Sequence, residues 1–147
     1  RTTITMTEQT YIKKDLKNYF TETTLNGYGR RENVIQKSLG ITEDDYITVR
    51  NGGYSGAIIA VINLDNHLWL VNDSFGSCTG CDYCKDDSAG WRDNVLGSAY
   101  CFKTVEDLEK YVTTTDDYHF NRGYHSVNPE TVIEKVKKEL LKESENK

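Results

Sequence analysis

The cysteines of this chain are crowded into one short region. Cys78, Cys81 and Cys84 follow one another at intervals of three positions, and the fourth cysteine of the chain is Cys101. Cysteines that act only as small apolar core residues have no physical reason to collect in this way. The cluster therefore indicates a shared constraint on its thiols, which is either a bound metal or a set of disulfide bonds.

A single structural Zn²⁺ accounts best for the spacing. Zinc in structural sites takes four ligands in a tetrahedron, and cysteine thiolates are common ligands. Two thiols separated by two residues can turn toward one point, and Gly80 eases that turn. We expect the ligands to be Cys78, Cys81, Cys84 and Cys101, with the last of them fastening the loop to the sheet.

Three alternatives use the same cysteines differently. Three close thiols with one remote thiol resemble the cluster-binding loop of bacterial-type ferredoxins, which implies an iron–sulfur cluster. A related redox alternative is that the same cysteines cycle between thiol and disulfide. The resemblance covers only the four cysteines, and Phe102 follows Cys101 where those ferredoxins have proline. In an oxidising compartment the thiols would form two disulfides, with three connectivities open. In the last alternative the thiols are reduced and unliganded.

Length and composition are typical of one soluble globular domain. The chain has 147 residues, of which 37% are hydrophobic and 28% are charged, and a domain of this size can bury a sizeable core. The 11% aromatic content argues against intrinsic disorder. We expect residues 1–147 to form a single domain. We also expect Arg1 to Thr5 to precede a native start at Met6, and 144–147 to be a frayed tail.

The charge pattern argues against two kinds of partner. The formal net charge is −5, and binding to nucleic-acid phosphates needs clustered Lys and Arg. No apolar run approaches the ~20 residues of a membrane-spanning helix. We expect neither a nucleic-acid nor a membrane partner. We expect the protein to be intracellular and to lie in the cytoplasm. Disulfide formation would instead imply secretion, which the Asn72-Asp73-Ser74 glycosylation sequon favours.

Periodicity predicts an α+β fold. Apolar residues at helical spacing predict helices over 7–20, 30–39, 104–112 and from 129 onward. Thr104 and Asn128 are the expected N-caps of the last two helices. Runs of β-branched and aromatic residues predict strands over 46–49, 57–63, 67–71 and 98–103. The apolar run of the second strand predicts burial on both of its faces, and Asp65-Asn66 predicts the turn that follows it. The expected architecture is an antiparallel sheet of about four strands flanked by N- and C-terminal helices. A Cys-rich loop, 72–97, is inserted before the last strand.

Catalysis finds little support in the sequence. The chain lacks the zinc-protease, nucleophile-elbow and phosphate-loop motifs. The chain has three histidines, which are His67, His119 and His125. We therefore expect the chain not to be an enzyme.

The Cys-rich loop carries the candidate binding surface. Tyr83 and Trp91 lie in it, and aromatic residues are enriched in protein interfaces. Loops held on a rigid scaffold are frequent binding sites. We expect a protein partner, with the chain acting as a binding module or as a subunit or inhibitor of a larger assembly. Alternatively, Trp91 folds back over the metal site or the sheet edge.

Overall fold

Five antiparallel strands form one sheet in a computed structural model of the chain, which describes residues 12–14, 16–21, 31–52, 56–75, 92, 96–115, 120 and 126–141. The strands are β1 Ile12–Lys14, β2 Tyr46–Gly52, β3 Gly56–Leu64, β4 His67–Phe75 and β5 Ala99–Phe102. Their order in the sheet is β1-β5-β4-β3-β2, and every neighbouring pair is antiparallel. The predicted α+β class is confirmed.

The structure describes three α-helices, and the last two begin directly after a capping residue. They are α1 Arg31–Leu39, α2 Val105–Thr114 and α3 Pro129–Lys135, which continues as a π-helical turn, Val136–Leu140. The Thr104 hydroxyl accepts a hydrogen bond from the Asp107 backbone N–H at 3.0 Å, and the Asn128 side chain accepts one from Glu130 at 2.8 Å. These contacts satisfy N–H groups that have no partner within the helix.

Strand β3 is buried on both of its faces. Each residue from Ala57 to Ile62 is at most 4% exposed, as the continuous apolar run predicts. Ala57, Ile59 and Val61 belong to one core cluster, while Ala60 and Ile62 belong to the other. Because successive side chains of a strand point to opposite faces, this strand is shared between two cores.

Each face of the sheet is covered by a different part of the chain. On one side, the C-terminal-helix face, strand residues pack against Leu108, Tyr111, Val112, Val132, Ile133, Val136 and Leu140. On the other side, the α1 face, strand residues pack against Leu16, Val34, Ile35, Leu39 and Leu96. The fold is therefore an antiparallel sheet between two helical layers.

The prediction of an N-terminal helix over Thr7–Phe20 is wrong for the residues of this segment that the structure describes. Ile12–Lys14 form strand β1, which pairs with β5, and Leu16–Tyr19 form a 3₁₀ turn. Residues 7–11 lie outside the described ranges. The free edge of β5 offers backbone hydrogen bonds that the local apolar spacing does not reveal. The apolar stripe itself does reach the core, since Leu16 is fully buried.

Strand β4 is longer than predicted. The sequence predicts that Asn72 and Asp73 begin the loop. In the structure they pair with Ile59 and Ile58 of β3. Both residue types are depleted in strands, but the long β3 supplies hydrogen-bonding partners as far as Phe75. The insertion before β5 therefore begins at 76 instead of 72.

A two-residue turn joins β3 to β4. Leu64 is paired with His67, and the residues between them, Asp65 and Asn66, have φ angles of 57° and 60°. Positive φ at both central positions is the type I′ geometry, whose twist matches that of the flanking strands. Asp and Asn tolerate this region better than other residues with side chains.

We expect Asn66→Val to destabilise the protein by about 1–2 kcal/mol, because a β-branched side chain is strained at positive φ. Asn66→Gly is the matched control and should leave the free energy of unfolding nearly unchanged. Urea denaturation of the two variants measures the difference. Equal stability of the two would contradict the assigned turn geometry.

Candidate functional site

Cys101 lies in the interior of the sheet and not in a loop. It belongs to β5, where its register partners are Ile12 on one side and Trp69 on the other. Its side chain faces the α1 side, is 6% exposed and packs in the cluster that contains Leu16 and Leu96. The predicted placement of Cys101 within a strand is confirmed.

The other predicted site residues lie outside the described ranges. These residues are Cys78, Cys81, Tyr83, Cys84 and Trp91. Within the residues that the structure describes, no group of three or more His, Cys, Asp or Glu side chains could hold a metal ion. Cys101 is buried there. The four-cysteine set therefore stays a prediction, with one of its members located.

The last part of the insertion packs on the same face as Cys101. The Arg92 guanidinium lies over the Phe20 ring, 5.5 Å from its centroid, in the geometry of a cation–π contact. The Gly97 N–H donates to the Arg92 carbonyl at 2.9 Å, and Leu96 is fully buried. The chain thus returns to the sheet across the α1 face before it enters β5.

The surroundings of Cys101 limit what its thiol can do. An ionised group placed among apolar side chains costs free energy unless a positive charge compensates it. A metal at the α1 face would supply that charge, since a thiol that coordinates zinc is deprotonated. Without a metal, Cys101 is a small apolar residue of the cluster.

Replacement of Cys101 distinguishes these two roles. If the thiol only packs, Cys101→Ala should cost about 1 kcal/mol, and a chelator should not alter that cost. If the thiol is a ligand, the same variant should lose bound metal, and its stability should match that of chelator-treated parent protein. Urea denaturation with and without EDTA measures both. We expect the second result.

A second cluster links the N-terminal 3₁₀ turn to the β3–β4 turn. The Tyr19 hydroxyl donates to Asp65 Oδ2 at 2.7 Å, and the Trp69 indole N–H donates to the Leu64 carbonyl at 3.0 Å. The rings of Tyr19 and Trp69 meet edge to face with centroids 5.5 Å apart. Nδ1 of His67 lies 2.7 Å from the Asp65 carbonyl oxygen, to which it can only donate. Sequence reasoning found the turn but not Tyr19, which comes from a distant segment.

The chemistry of this cluster favours a structural role. The hydrogen bond to Asp65, together with partial desolvation and the negative charge of Asp65, raises the pKa of Tyr19 above its usual 10.0. A phenol with a raised pKa is neutral at pH 7, so it is a poor general base there. Its hydroxyl fixes the position of the turn.

The raised pKa of Tyr19 predicts how its contribution to stability depends on pH. The neutral phenol donates to Asp65, so this contribution is fully present below pH 10, the ordinary pKa of tyrosine. It should be lost as the pH rises through the higher pKa of the folded state. Tyr19→Phe should therefore be less stable than the parent at pH 7, and the two should converge at high alkaline pH. Urea denaturation across this range tests it, and a constant difference would contradict it.

Asp73 is the buried carboxylate of the described strands. It is 8% exposed, lies in β4 opposite Ile58, and borders a small cavity beneath α1 that Ile35 and Ala60 also line. His67 is the one described histidine, since His119 and His125 lie outside the described ranges. Asp73 and His67 stand at opposite ends of β4, so the strand does not bring them together as an acid–base pair.

The glycosylation sequon lies in a sheet strand. Asn72 and Asp73 are paired with β3, and Asn72 is partly buried. Glycosylated asparagines are typical of surface loops. This position therefore adds no support to the secreted, disulfide-bonded alternative.

Comparisons of the chain with protein-family models, with curated proteins and with solved structures give no match. In the part of the chain that the structure describes, none of the helices has the length and apolar character needed to cross a membrane.

Proposed function

We propose that this chain is a protein-binding domain whose Cys-rich insertion, held by one Zn²⁺, forms the binding surface. The main support is the length of the insertion and its position between two neighbouring strands. Strands β4 and β5 are direct antiparallel neighbours, and such strands need a connection of only two residues. Here the connection covers positions 76–98. Connections this long in small domains are usually functional or disordered.

The strands and helices outside the insertion form a scaffold, and none of the five described strands comes from the insertion. Within the described residues, the faces of the sheet are covered by helices and the N-terminal turn, and the end of the insertion adds Leu96 to the α1 face. The outer edge strand β2 is also protected, since Lys135 Nζ donates to the Thr48 carbonyl at 2.8 Å. A lysine at a sheet edge discourages pairing with another chain. These features support a division between a closed scaffold and a recognition loop.

Zinc supplies the order that such a loop needs in order to bind. Three thiolates within the loop would fix its local conformation, and Cys101 would tie it to β5. Arg92 and Leu96, which pack on the α1 face, support this arrangement because they bring the end of the insertion to the side where Cys101 lies. A preordered loop loses less conformational entropy when it binds.

We expect Cys81→Ser to lose the one bound zinc and to lower the melting temperature, because the free energy of metal binding stabilises the folded state. Thr79→Ser, two positions away, is the matched control and should keep both. Elemental analysis and thermal denaturation measure the two properties. If Cys81→Ser melts like the parent, the metal role of the loop is wrong.

The binding surface is tested separately from the metal. We expect Trp91→Ala to reduce retention of a protein partner at least tenfold while the melting temperature and the zinc content stay unchanged. Lys110→Ala, at an exposed position of α2, is the control and should retain the partner. Quantitative mass spectrometry of proteins retained from a cell extract by parent and variants measures the effect.

Two results would contradict this placement of the surface. Unchanged retention by Trp91→Ala would remove Trp91 from it. A marked fall in melting temperature would show that the indole covers the metal site or the sheet edge instead.

A further inference from the structure

We draw no further inference here: the strongest candidate, the small cavity between helix α1 and the sheet beside Ile35, Ala60 and the buried Asp73, carries nothing because no described residue shows what would occupy it.

Discussion

Burial of β3 on both faces is the constraint on which the rest of the structure depends. Six successive residues, Ala57 to Ile62, are withdrawn from water, and their side chains alternate between the two faces. Each face must therefore be covered by apolar side chains from elsewhere. The C-terminal helices cover one face, and α1 with the N-terminal turn covers the other. A one-residue slip of β3 would exchange its two sets of side chains between unlike layers, so its register with β2 and β4 is strongly specified.

Local signals in the sequence were sufficient to predict the centre of the fold. The apolar run of β3, the Asp65-Asn66 turn and the caps at Thr104 and Asn128 each depend on neighbouring residues, and all are confirmed. The errors lie where a distant strand decides the structure. Ile12–Lys14 pair with β5, and the end of β4 pairs with β3. Neither pairing can be recognised from the spacing of apolar residues in the sequence. In the same way, Tyr19 and Asp65 meet only through the fold, so their contact was not predicted.

The candidate site divides between the two parts of the chain. Cys101 belongs to the scaffold. The β-strand propensity of its segment predicts its place in β5, and its side chain is buried there. Its proposed partners belong to the insertion, and their spacing predicts shared chemistry without fixing which chemistry. Thiol spacing alone cannot separate zinc from an iron–sulfur cluster or from disulfides, because the same sulfur atoms serve all three. Arg92 and Leu96 place the end of the insertion on the α1 face, which is the side of Cys101.

Native mass spectrometry of freshly purified protein, compared with its mass after denaturation without reductant, shows whether one zinc ion holds the four cysteines together. We expect one zinc ion that is lost on denaturation, after which all four thiols react with an alkylating agent. A mass that corresponds to two disulfides and no metal would contradict it. So would a brown protein that contains iron and sulfide in place of zinc.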